Sequence, residues 1–140
     1  MLIRENWWQK FNNMKRQNIS SNANWEDIVG YSRAVRIGNI VEVAGTTAID
    51  GDNIIGENNA YKQTRFILSK IEKVLGQAGA SMNDVVRTRM YVTDISQWEE
   101  IGKAHGEFFR DIKPVTTMVE VKAMIDPRML VEIEVTAVIA

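Results

Sequence analysis

Carboxylates near the C-terminus are the groups best placed to do chemistry in this 140-residue chain. Glu132 and Glu134 stand two apart in a run, Leu130 to Ile139, whose apolar and polar residues alternate. On an extended strand that spacing puts both side chains on one face. Glu120 lies in the preceding alternating run, Thr117 to Met124, and so falls on a neighbouring strand. A carboxyl group half-buried at an interface has its pKa raised and can hold a water as a general base. Salt-bridged structural glutamates would leave the same pattern, so both readings stand at this level.

Other chemistry has less to build on. The chain has no cysteine, which removes disulfides, thiolate metal sites and cysteine nucleophiles. Its one histidine, His105, falls on an apolar helical stripe and reads as a packed, hydrogen-bonded core residue. One imidazole without partners makes neither a catalytic triad nor a zinc site, so no metal is expected. No phosphate loop, dinucleotide fingerprint, zincin helix or nucleophile elbow occurs, and no cofactor is expected.

Seventeen Lys and Arg against eighteen Asp and Glu give a net charge of −1, which offers no electrostatic pull towards nucleic acid or acidic lipid. The apolar runs are far too short to span a membrane. The first residues lack the apolar stretch and small-residue cleavage site of a secretion signal, which makes the cytoplasm the expected location. Met1 to Asn13 carries Trp7, Trp8 and Phe11 among polar groups, and Met14 offers a second start. The chain is therefore divided into an N-terminal extension, 1–13, and a single domain, 14–140.

The elements that position the carboxylates follow from two periods. A short strand is expected near Arg16 to Ser20. Ser32 to Ile37 and Ile40 to Ala44 alternate around Gly38-Asn39, which predicts a hairpin. A looser turn follows at Asp50-Gly51-Asp52-Asn53. From Ala60 the period changes: Tyr61, Thr64, Leu68, Ile71, Val74/Leu75 and Ala78 share a helical stripe, capped by Asn58 or Asn59 and stopped at Gly76 or Gly79. Val85 to Val92 reads as a strand. Ser96-Gln97-Trp98-Glu99 has the spacing of a capping box, opening a helix with Trp98, Ile101, His105, Phe108 and Ile112 on its inner face.

Two helices can cover only one face of one sheet, so the class is α+β. Val131, Ile133, Val135 and Ala137 belong to the covered face. The other face carries Glu132, Glu134, Arg87, Arg89 and Tyr91, and the alternation of the strand before the last adds Thr116, Met118 and Glu120 to it. A semi-apolar open face of this kind suits an interface between copies. It equally suits a solvated surface with cross-strand pairs such as Arg89–Glu134.

Several segments carry a family resemblance. Pro114-Val115-Thr116-Thr117-Met118-Val119-Glu120-Val121 through Leu130-Val131-Glu132-Ile133-Glu134 resembles the C-terminal signature of the Rid family (YjgF/RidA, reactive intermediate deaminases). Gly30-Tyr31-Ser32-Arg33-Ala34, Val43-Ala44-Gly45-Thr46 and Asp84 to Asp94 are similar to three further family segments, so that residues 15–139 are covered. The resemblance implies a chorismate-mutase-like α+β fold and a homotrimer with a central β-barrel and three intersubunit clefts. It also implies cofactor-independent hydrolysis of reactive enamines or imines and a small-molecule ligand; the charge balance and short apolar runs, rather than the resemblance, predict no nucleic-acid or membrane partner.

Residue by residue, the resemblance makes Glu132 the catalytic, water-holding carboxylate, Tyr31 a cleft tyrosine and Gly45 part of the cleft wall. The family arginine that clamps a substrate carboxylate does not carry over. Thr116 stands in its place, and Gly102 replaces an asparagine of the second helix. Thr116 and Thr117 can donate neutral hydrogen bonds to a less charged ligand. Arg33, two residues after Tyr31, is the candidate for a replacement cation. The alternative is a non-catalytic, ligand-binding regulatory trimer.

Overall fold

The computed structural model describes residues 14–140; the extension expected at 1–13 lies outside them. Six strands form the main sheet in the order β1-β2-β3-β8-β6-β7. They are β1 (Arg16–Ile19), β2 (Ala34–Ile37), β3 (Ile40–Thr46), β6 (Val85–Val92), β7 (Val115–Glu120) and β8 (Val131–Val138). A two-stranded ribbon, β4 (Ile49–Asp50) and β5 (Asn53–Ile54), turns at Gly51 with φ +61°. The β2–β3 hairpin turns at Gly38, φ +59°, where the left-handed conformation favours glycine.

All neighbours in the main sheet are antiparallel except β6 and β7. A parallel pair needs a crossover, and α3 (Trp98–Phe109) supplies it. The longer helix, α2 (Ala60–Gln77), starts at Asn59, whose side chain accepts a hydrogen bond from the Lys62 amide. Gly79, at φ +83°, turns the chain beyond its end.

Both helices pack on one face of the sheet. Ile67, Leu68, Ile71 and Leu75 of α2, with Ile101 and Phe109 of α3, meet Val41, Val43, Met90, Val92, Val131, Ile133, Val135 and Ala137 in a single core. Each such side chain, fully buried, contributes about 1.5–3 kcal/mol, which is why the period-two and period-3.6 patterns dominate the fold. The expected α+β class is therefore the observed one.

Four local expectations need correction. A short helix, α1 (Asn24–Val29), occupies a segment to which the sequence pattern assigns no element. It is held by tertiary contacts that periodicity cannot reveal: the buried Glu26 carboxylate accepts from the Ser21 amide, and Gly30 closes the helix at φ +85°. The capping box at Ser96 does not form. Ser96 instead donates its amide and hydroxyl to Asp94, at 3.0 and 2.6 Å, opening a single 3-10 turn before α3.

The buried stripe of α3 is Ile101, Ala104 and Phe109, while Trp98 is exposed. Finally, the faces of β7 are the reverse of those expected. The parallel register sets Thr116 beside Thr88 and Met118 beside Met90, so Thr116, Met118 and Glu120 lie on the helix side. Glu120 there accepts a hydrogen bond from the Ile95 amide and takes no part with Glu132.

Candidate functional site

A bulge in β3 builds one end of the site. Between Val43 and Thr46 the strand advances three residues while its partner advances two, from Val135 to Ile133. The extra residue displaces Gly45 from the ladder. Glu132, projecting from β8 on the face away from the helices, lays its carboxyl group directly over the Gly45 Cα. A Cβ at that position would run into the Glu132 carboxylate. Glycine is required here by close approach rather than by backbone conformation. Gly45→Ala should accordingly cost about 1–3 kcal/mol of stability. The cost should shrink in a Glu132→Ala background, which a double-mutant cycle of denaturation midpoints would read.

Arg33 closes the other side of this corner. Its Nη2 donates to the Gly45 carbonyl at 2.5 Å, and its guanidinium lies 6.0 Å from the centre of the exposed Tyr31 ring. Its buried Nε has no hydrogen-bond partner among the described residues. Burial lowers the Arg33 pKa, against the opposing pull of Tyr31, Glu26 and Glu132. Lys70 of α2 adds a second half-buried cation close by. Its Nζ donates to the Ile49 carbonyl at 2.7 Å, and burial together with Arg33 lowers its pKa.

The two glutamates of β8 have different fates. Glu134 accepts from the Tyr91 hydroxyl at 2.9 Å and pairs with Arg89 at 3.4 Å, the cross-strand pair that the solvated-surface alternative named. Glu132 has no hydrogen bond or ion pair among the described residues. Burial raises its pKa; the Arg33 charge acts in the opposite direction and Glu134 adds to the rise. The structural role thus belongs to Glu134, and Glu132 is left as a half-buried carboxylate beside a cation. That arrangement suits a general base.

Tyr31, Arg33, Gly45 and Glu132 are therefore brought together, whereas Thr116 and Thr117 are not. Thr117 faces the same side of the sheet as Glu132 but lies beside Arg89, opposite Glu134. With β6 intervening, two strand spacings put it about 10 Å to the side. Thr116 is on the opposite face at the sheet edge. Its hydroxyl lies 2.8 Å from that of Thr88, which lies 2.9 Å from His105 Nε2. His105 is half-buried with its ring 4.7 Å from that of Phe109, in keeping with the packed, hydrogen-bonded histidine expected. Gly102, one turn earlier on α3, has open space where a side chain would stand.

Sequence reasoning missed Glu26 and Lys70 as neighbours of Arg33. Lys70 lies off the apolar stripe of α2 and reads as solvent-facing, and Glu26 sits on the unexpected α1. Among the described residues, no three His, Cys, Asp or Glu converge as metal ligands. No helix there is long and apolar enough to cross a membrane.

A six-stranded sheet with two helices on one face, and a lone carboxylate over a glycine bulge on the other, defines an α+β protein of the YjgF-like kind. The family description "Endoribonuclease L-PSP" matches residues 20–139, and the chain belongs to that family, the YjgF/Rid group. A crystal structure of a member of the YjgF/YER057c/UK114 family from Mycobacterium tuberculosis superposes with a TM-score of 0.80 at 55% identity, covering 89% of this chain and all of that one. An uncharacterised protein of Streptomyces coelicolor is 38% identical over 119 residues, 85% of this chain and 89% of its own. The 3-aminoacrylate deaminase RutC of Acinetobacter baylyi is 31% identical over 104 residues, 74% of this chain and 82% of its own.

Proposed function

We propose that this chain is a cofactor-independent hydrolase that deaminates a small enamine or imine in clefts between the subunits of a homotrimer. The observation that carries the reading is the contrast on β8, where one oxygen of Glu134 accepts from both Tyr91 and Arg89 and Glu132 has no such partner among the described residues. The name of the RutC relative, a 3-aminoacrylate deaminase, points to the same substrate class.

In this reading Glu132 holds a water against the imine carbon. As the water oxygen bonds to that carbon, its proton passes to Glu132 and the C=N electron pair moves to nitrogen. Glu132 hands that proton to the nitrogen, giving a neutral amino alcohol, whose hydroxyl proton then moves to nitrogen as the C–N bond breaks, releasing ammonia and leaving a carbonyl. An enamine enters by first taking a proton on carbon. Arg33 supplies the positive charge of the cleft, Tyr31 and Gly45 form its wall, and Thr116 and Thr117 reach the cleft from the edge strand of the adjoining subunit. That placement accounts for their separation from Glu132 within one chain.

Thr116 sets the substrate range. A charge-assisted contact to a carboxylate is worth about 1.5–3 kcal/mol, so a threonine there weakens a 2-imino acid by one or two orders of magnitude. A nuclease reading finds no support in a net charge of −1, since phosphate contacts need clustered Lys and Arg.

Ammonia release from enzymatically generated 2-aminoacrylate and from 3-aminoacrylate, in the natural protein and in Glu132→Ala, tests the assignment. Turnover lost in the variant supports it. Equal background rates in both would replace it with the non-catalytic binding trimer. Thr116→Arg should then raise the rate on the 2-imino acid route if that position limits it.

A further inference from the structure

Beneath the edge strand, three polar side chains on three different elements form one hydrogen-bonded row. His105 of α3 meets Thr88 of β6 at 2.9 Å, and Thr88 meets Thr116 of β7 at 2.8 Å. The Thr116 hydroxyl also lies 3.3 Å from the Pro114 carbonyl. Thr88 is fully buried and Thr116 exposed, so the row runs from inside the protein to its surface.

Only one direction satisfies all three contacts at once, and it runs outward. The Pro114 carbonyl can only accept, so a Thr116 proton directed outward leaves Thr116 an acceptor towards Thr88. The Thr88 proton is then used on Thr116, and its remaining lone pair must take a proton from His105 Nε2. Burial lowers the His105 pKa, so the ring is neutral at pH 7 and carries one proton. The 3.3 Å contact to Pro114 is long for a hydroxyl donor, and a ligand acceptor can displace it.

We infer that His105 is a positioning residue which, through Thr88, turns the Thr116 hydroxyl into an outward donor selecting an uncharged acceptor, such as a carboxamide or ester carbonyl, in the ligand. The inference deepens the proposed reading, resting on its placement of Thr116 at the ligand cleft. A single neutral donor cannot offset the desolvation of a carboxylate as a guanidinium does, which is the source of the selectivity.

A chain with one histidine gives an unambiguous test, because every imidazole nitrogen signal in a long-range 1H–15N spectrum belongs to His105. The Nε2–H tautomer is expected, and the Nδ1–H tautomer would overturn the inference. Titration with pyruvamide, read from amide shifts, should then be weakened roughly three- to ten-fold by Thr88→Val and by Thr116→Val. The double variant should be no weaker than either single one, Thr88→Ser should restore binding, and pyruvate should respond less than pyruvamide.

Independent effects that multiply, no effect of Thr88→Val, or no binding of pyruvamide would each refute the relay. Should Thr88→Val fail to fold, the tautomer and the Thr116→Val and Thr88→Ser titrations decide. None of these readings requires turnover or Glu132. A coupling that is present while the natural protein itself releases ammonia only at background keeps the relay and rejects the deaminase. Turnover that depends on Glu132 without the coupling does the reverse.

Discussion

Glu132→Gln is expected to reduce ammonia release at least 10²-fold while raising the stability of the folded chain at neutral pH. The rate loss is the usual contribution of a positioned general base, about 10²–10⁴-fold. The gain in stability has a separate cause. Burial raises the Glu132 pKa above that of a glutamate in the unfolded chain. Between those two pKa values the folded state binds more protons than the unfolded one, so stability falls as pH rises through that window.

Above the window the full penalty of an ionised, half-buried carboxylate is present, and a neutral glutamine removes it. Denaturation midpoints of the two proteins should therefore coincide at low pH, part as pH rises through the window, and stay apart above the raised Glu132 pKa, with the variant the more stable. The acid limb of the rate profile should lie at that same raised pKa. A variant equally stable at every pH would show that Glu132 is adequately solvated, and the base assignment would lose its physical ground.

Much of this corner was legible because it depends on alternation and close approach. The inward set Val131, Ile133, Val135 and Ala137 fixed the outward set, and so put Glu132 and Glu134 on the open face. What alternation could not show is which glutamate is engaged. That depends on Tyr91 and Arg89 of β6, whose register against β8 shifts between Val85 and Arg87.

The seventh strand misled for a different reason. Thr117, Val119 and Val121 suggest a buried face, but β7 is an edge strand and its Val115, Thr117 and Val119 lie on the uncovered side. Val115 and Val119 are 56% and 42% exposed. Register against a parallel neighbour decided the matter, and a crossover through α3 leaves no turn from which to count it. The helix α1 was hidden because its stability comes from Glu26, Ser21 and the left-handed Gly30 rather than from an apolar stripe.

Arg33→Ala should have the second largest effect, and it separates charge from packing. Arg33 is the group whose charge holds the Glu132 pKa down against burial and Glu134. Without it the Glu132 pKa should climb further, and the acid limb of the rate profile should move to higher pH. Loss of the cation should also weaken an anionic ligand by about one to two orders of magnitude, the worth of a charge-assisted contact.

That second effect appears in KM, whereas the first appears in the pH profile of kcat and vanishes at high pH. Arg33→Lys keeps the charge and loses the guanidinium contact to the Gly45 carbonyl. It should restore the pH profile more fully than KM, because a point charge lowers the Glu132 pKa without reproducing the planar fork. Binding unchanged in Arg33→Ala, with an unmoved acid limb, would mean that the guanidinium serves only to brace the bulge. The cleft's positive charge would then have to come from Lys70, whose ammonium lies close enough to Arg33 to feel its field.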